Sequence, residues 1–345
     1  MTNDEVNNAL RSYVQKNLTP TAEERGMVSA VYAAVCSVLG RDRCYQIGSY
    51  PRYTAIRPPH DLDVLYSADK WPGQEPDDSK MLADLKSRLE TDLVAPDGLR
   101  FAVELQTHSV TVSFRRKDEE VFAVDVVPAW TTGIINEFGD DVYRVPEILL
   151  RGHRSRLRLY RRLQEFGGHI GFILSDPKGY IGVASVTNGV NSDFRKAVKF
   201  AKKWKWWAKQ ADEDFKLKSF HIEQIITGFF REVPETDILS ALLRFFVELP
   251  EWISVARIPD RADNERYIDE YVNELTDEQR NSILAARDRF LHALRSDLHG
   301  GAVEDLFQPQ PAGKAAAAVT TVGAASAAVV TDRRSVTPRA PFGNE

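Results

Sequence analysis

The feature that most constrains this chain is an acidic pair inside an apolar strand, Asp61-Leu62-Asp63-Val64-Leu65-Tyr66, placed shortly after a Gly48-Ser49 turn. Side chains alternate across a strand, so Asp61 and Asp63 project from one face with Cα atoms about 6–7 Å apart. Two carboxylates at that spacing suit one or two hard divalent ions, and Mg2+ takes oxygen ligands while leaving positions for phosphates and water. Taken alone, such a pair is usually a surface coincidence. Its setting changes the reading, because Gly48-Ser49 precedes it in a turn with Arg52 and Thr54. A Gly-Ser turn opening a short helix offers N–H groups, a hydroxyl and the positive end of the helix dipole to a triphosphate. Glycine is needed where the backbone approaches phosphate oxygens closely.

A third acid, Asp125, lies in the apolar run VFAVDVVPA. A carboxylate there is costly to bury unless it is paired or metal-bound. A structural salt bridge is the competing explanation, but three carboxylates on adjacent strands suit two-metal phosphoryl transfer. The expectation is that Asp61, Asp63 and Asp125 hold two Mg2+ (or Mn2+) ions. Asp125 then serves the ion that activates the attacking hydroxyl and helps remove its proton.

Around these residues the pattern mixes strand, helix and hairpin signals to about residue 145 and becomes mainly helical afterwards. Residues 21–39 have a helical apolar rhythm with a capping box in Thr21 and Glu24. Ser79–Leu93 reads as an amphipathic helix. Val103–Phe114 and Val121–Val127 alternate with period two and are joined as a hairpin by Arg115–Glu120. Ser192–Gln210, His221–Phe230, Ile238–Val247, Asp263–Val272 and Asp277–Arg295 are the later helix candidates. The expected division is 1–145, a core with an N-terminal helix; 146–307, a helical lobe; and 308–345, an Ala/Val/Thr-rich tail of the composition expected for disorder.

Bulk properties exclude several classes. The formal net charge of −5 supplies no global field for gripping nucleic acid. The two cysteines, Cys36 and Cys44, lack a histidine cluster to complete a zinc site and read as buried thiols. The acidic, polar N-terminus is no signal peptide, and no apolar run is long enough to span a membrane. The expected setting is the cytoplasm, without a membrane partner.

The run GSYPRYTAIRPPHDLDVLY, followed by FAVDVVPAW, resembles the DNA polymerase β-like nucleotidyltransferase superfamily. Within it the chain is similar to the bacterial cyclic GMP-AMP synthase/DncV-like enzymes of anti-phage CBASS operons, over roughly residues 40–235. THSVTVSF and AVKFAKKWKWWAKQ, with the later LKSFHIEQII, support that narrower likeness. The resemblance implies an α+β core, a mixed twisted sheet with flanking helices, plus a C-terminal helical lobe, with the active site in the cleft between them. It implies that Lys202 and Ser219 contact the triphosphate. It further implies that nucleoside triphosphates, ATP among them, are joined into a cyclic di- or trinucleotide with release of pyrophosphate. Some relatives are regulated through a HORMA-type protein or a ubiquitin-transfer-like enzyme acting on the C-terminal tail, which implies a similar partner here. A nucleic-acid activator stays open; the His/Cys cluster of the DNA-sensing zinc thumb is missing after residue 44.

On the residues themselves, Phe194, Ala197, Val198, Ala201, Trp204 and Ala208 form one apolar helix face, with Lys202 at its rim and Lys203 solvated. Trp204 is expected in the core rather than against a base. Two other functions compete: a linear template-independent polymerase (oligoadenylate synthase-like, poly(A)- or CCA-adding), disfavoured by the missing basic track, and a catalytically silent nucleotide-binding module.

Overall fold

The computed structural model describes residues 2–70, 78–96, 98–117, 119–146 and 172–296, with Val303 and Leu306. The expected tail, 308–345, lies outside the described residues, as does 147–171.

The chain opens with α1 (Asn3–Tyr13), capped by a reciprocal Thr2–Glu5 box, and α2 (Ala22–Leu39), capped by Thr21 and Glu24 as expected. Strand β1 (Cys44–Ile47) leads to β2 (Asp61–Lys70), and α3 (Asp78–Asp92) follows. Then come β3 (Arg100–Leu105), β4 (Val110–Arg116), the long β5 (Glu119–Ile135), β6 (Asp141–Pro146) and β7 (Phe172–Ser175). The sheet order is β1-β2-β5-β4-β3, with β6 on β5 and β7 on β6. β2 and β5 run parallel, while every other pairing is antiparallel.

Val103–Phe114 forms two strands rather than one. The apolar residues switch parity between Leu105 and Val110, and Gln106 N–H closes a turn onto the Ser109 carbonyl at 2.8 Å. A period-two pattern that changes phase marks a turn, because each face keeps a single parity.

That parity also sorts the sheet's two faces. Leu62, Val64, Val124 and Val126 pack with Val31 and Val35 of α2 and Leu82 and Leu89 of α3 in one core. Their neighbours Asp61, Asp63, Ala123 and Asp125 therefore point to the opposite face, where Ile47, Leu65, Val127 and Tyr143 form a small second cluster.

The helical part holds α4 (Pro177–Val190), α5 (Asp193–Ala211), α6 (Ser219–Glu232), α7 (Ile238–Trp252) and α8 (Asp277–Ser296). Helix α4 had no periodic signal: Gly179, Gly182, Gly189 and its β-branched residues lower its propensity. Its start is fixed by Asp176, which accepts from Gly179 N–H at 2.7 Å, with Pro177 in the first turn. Trp204 is fully buried and meets Phe215, Phe245 and Phe246 edge-on, so it belongs to the core. Val6, Leu10 and Tyr13 of α1 join this same core. The chain's first helix thus packs with the helical lobe although the sequence between them builds the sheet.

Asp263–Val272 is not a helix. Only Glu270–Glu274 makes a short 3-10 turn. Buried Asp269 accepts the N–H groups of Arg257 and Ile258 at 3.0–3.2 Å, tying the segment to the loop that follows α7. Tertiary hydrogen bonds outweigh the weak local preference there.

Candidate active site

Register is what assembles the acids. In the parallel β2–β5 pair, Asp61 stands opposite Ala123 and Asp63 opposite Asp125. Asp63 and Asp125 are each only 2% exposed, whereas Asp61 is partly open. Thr111 on β4, paired with Asp125, donates its hydroxyl to Asp125 Oδ1. That bond orients one carboxylate oxygen along the sheet.

Gly48 lies against Asp63 from β1's end with φ +74, and a Cβ built on it would meet Asp63 Oδ2 at 1.8 Å. Glycine is therefore required twice over, for conformation and for space. The short helix expected after Gly48-Ser49 does not form. Residues 48–53 make consecutive turns, with Tyr53 N–H on the Tyr50 carbonyl and Thr54 N–H on the Ser49 carbonyl. A helix N-terminus is present nonetheless, because Ser219 begins the 14-residue α6. Its dipole and open N–H groups favour an anion beside Ser219.

A cavity of about 520 Å3 is lined among others by Ser49, Asp61, Lys202, Lys205 and Ser219, whereas Gly48, Asp63 and Asp125 are not among its lining residues. Arg52 is not among its lining residues. It is buried and gives its Nε to Glu223 Oε1 at 2.5 Å, with its guanidinium 5.1 Å from the Phe220 ring centre. Lys202 lines the cavity, yet its Nζ reaches Glu223 Oε2 at 2.7 Å and Thr54 Oγ1 at 3.2 Å. Thr54 donates its hydroxyl to Glu223 Oε2 at 2.8 Å. Burial alone would raise Glu223, but the charges of Arg52 and then Lys202 overcome it and hold the carboxyl down to about 2. Burial lowers Lys202, against the pull of Glu223. This buried group locks the 48–54 turn to α5 and α6.

Lys205, one turn along α5, instead hydrogen-bonds Ser219 Oγ at 2.8 Å on the cavity wall. It was legible only as one lysine of a dense basic helix, though its spacing from Lys202 and Lys209 puts all three on one stripe. Glu223 has a clearer signal in the sequence, an acid among isoleucines in HIEQII. Lys203, expected in solvent, is half-buried with its ammonium over the Trp206 ring at 3.9 Å. The start of α6 is fixed by Tyr271, whose hydroxyl accepts Lys218 N–H at 3.1 Å and contacts His221 Nδ1 at 2.9 Å. Burial holds that imidazole down to about 3, so it is neutral.

The donor set is one a hard divalent ion favours: carboxylate oxygens on adjacent parallel strands, beside a glycine cradle that no side chain can fill. Among the described residues no three His, Cys, Asp or Glu side chains are already gathered about one point. The backbone register brings the acids together, and the carboxylates themselves are not drawn in around a common centre. In kind the residues suit the ion.

A mixed sheet bearing acids on paired central strands, facing a helical lobe, defines a nucleotidyltransferase fold. More particularly, it is the fold of the cyclic GMP-AMP synthase/DncV-like nucleotidyltransferases. The structure of E. coli MS115-1 CdnC with ATP is similar with a TM-score of 0.60 at 18% identity, over 87% of this chain and 94% of that one. The E. coli MS115-1 CdnC:HORMA-deltaN complex gives 0.59 at 17%, over 87% and 94%. Elizabethkingia meningoseptica CdnE cyclic dinucleotide synthase with GTP and Apcpp gives 0.50 at 14%, over 87% and 99%. At these identities the likeness is one of fold. No protein-family model matches the chain, and no curated protein matches it significantly. No helix among the described residues is long and apolar enough to cross a membrane.

Proposed function

We propose that this chain is a metal-dependent nucleotidyltransferase that joins nucleoside triphosphates into a cyclic di- or trinucleotide messenger for anti-phage defence. The observation that carries the reading is the pairing of Asp63 with Asp125 on the strands that also carry Asp61, which itself lines a cavity with Ser49, Lys205 and Ser219. The Ser49 turn, the Lys205 ammonium and the N-terminus of α6 bind the triphosphate. Asp125, oriented by Thr111, accepts the proton of a ribose hydroxyl. That oxygen bonds to the α-phosphorus as the bond to the β-phosphate oxygen breaks, and pyrophosphate leaves. Asp61, Asp63 and Asp125 are the residues that would hold divalent ions, which supply charge neutralisation at the phosphates and a lowered hydroxyl pKa.

Structures of similar fold contain ATP, or GTP with Apcpp, which supports triphosphate substrates here. The CdnC neighbour is bound to a HORMA protein, and a HORMA-type partner is the regulatory contact we favour for this chain. The test is incubation of the purified protein with four labelled nucleoside triphosphates and Mg2+ or Mn2+, followed by phosphatase. Short phosphatase-resistant products are expected. A sensitive ladder would establish a linear polymerase instead, and no product with any partner would leave a binding module.

A further inference from the structure

Away from the cavity, α5 carries basic groups that the proposed chemistry does not use. Lys199 is 8% exposed, and its Nζ donates to the neutral Thr19 hydroxyl at 3.3 Å. One turn earlier, Arg195 lays its guanidinium over Tyr53, 4.7 Å from the ring centre, and its buried Nε has no hydrogen-bond partner among the described residues. Tyr53 is 66% exposed and holds a left-handed backbone with φ +59, an uncommon conformation for a bulky residue. Arg25, from the start of α2, donates to the Pro20 carbonyl at 2.6 Å and forms no ion pair with an acid among the described residues.

The nearby acids are committed elsewhere. Glu24 pairs with Arg57, Asp193 with Arg11 and Lys196, and Glu223 with Arg52 and Lys202. Burial, and then the charges of Lys202, Arg195, Arg25 and Lys196, hold the Lys199 amine down to about 8. Crowding cations at a shielded position without an acid is unfavourable, and an oxyanion relieves it. The donors suit phosphate: a guanidinium whose buried Nε–H is unpartnered among the described residues, an ammonium and a hydroxyl. Because Lys199 is nine-tenths buried, a single tetrahedral end group can reach it, whereas the flank of a duplex cannot.

We infer that Thr19, Tyr53, Arg195 and Lys199 form a second anion site that takes a small phosphate-bearing ligand. None of the four lines the cavity. Tyr53 closes the same turn that carries Gly48 and Ser49, so an anion held here steadies the turn lying against Asp63.

Binding is read without turnover, so the site stands or falls apart from the proposed reaction. The full chain is titrated with inorganic phosphate at constant ionic strength while thermal unfolding is followed. Wild type should show a saturable rise in Tm of about 2–4 °C. Lys199→Met should melt higher than wild type without phosphate, since a buried charge is removed, and should lose the phosphate response. Arg195→Gln, at a half-exposed position, should weaken the response at least about tenfold, a loss of one guanidinium–phosphate interaction. Lys205→Met, on the cavity wall, should keep it. A wild type with no saturable rise overturns the inference. So does a response that survives in Lys199→Met and Arg195→Gln but vanishes in Lys205→Met, because the phosphate then sits in the cavity.

Discussion

Asp63 on β2 stands directly opposite Asp125 on β5 in a parallel register, and Thr111 from the next strand donates to Asp125. On the proposed reading, removing one charge from this pair removes an ion ligand without removing volume. Asp63→Asn and Asp125→Asn should each abolish product formation while preserving the far-ultraviolet dichroism. Thr111→Val should lower kcat with little change in KM for the triphosphate, since the hydroxyl orients a base and touches no phosphate. Retained turnover in Asp125→Asn would remove this residue from the chemistry.

Lys205 and Ser219 meet on the cavity wall at 2.8 Å. On the proposed reading each donates to a phosphate oxygen, a charge-assisted bond worth about 1.5–3 kcal/mol. Lys205→Met should raise KM for the triphosphate by roughly tenfold to a hundredfold, and Ser219→Ala by less. Initial-rate measurements at fixed metal concentration distinguish this from a loss in kcat alone.

Gly48 has no tolerance for a side chain, given φ +74 and an Asp63 oxygen 1.8 Å from an added Cβ. Gly48→Ala should displace the turn or the carboxylate and leave an inactive protein with a lowered Tm. An active, equally stable Gly48→Ala would show that the turn relaxes freely.

Glu223 neutralises Arg52 and Lys202 inside the interface of the turn with α5 and α6. Glu223→Gln leaves two buried cations and should cost about 3–5 kcal/mol in denaturant unfolding. The pH dependence has a definite sign. The Glu223 carboxyl is held down to about 2, below its ordinary value of 4.5, so its stabilisation is complete above that value and is lost as pH falls toward 2. The wild type should therefore lose stability faster than Glu223→Gln on acidification through this window.

Lys199 has the opposite linkage. Its amine sits at about 8 instead of 10.5, so between these values the unfolded chain binds the extra proton and the folded chain gains stability as pH rises. The charged groups that act on it are Lys202, Arg195, Arg25 and Lys196. Comparing stability of wild type and Lys199→Met across this window should show a rise in wild type that the variant lacks.

Much of this was written in local pattern. Period-two alternation put Asp61, Asp63 and Asp125 on one face of their strands, the Thr21–Glu24 box opened α2, and helical spacing sent Trp204 into the core. Those features depend on neighbours within a few residues, and periodicity reports them directly. Other features depend on who lies opposite. The Asp63–Asp125 register, the use of Arg52 by Glu223 rather than by the cavity, and the Lys205–Ser219 contact arise between segments far apart in sequence. Asp269 and Tyr271 likewise override a local helix signal through hydrogen bonds made across the fold. Side-chain chemistry thus named the acids and the turn from the sequence alone. Which cation meets phosphate and which is consumed by a buried carboxylate was decided by tertiary packing, because burial sets the cost of leaving each charge unpaired.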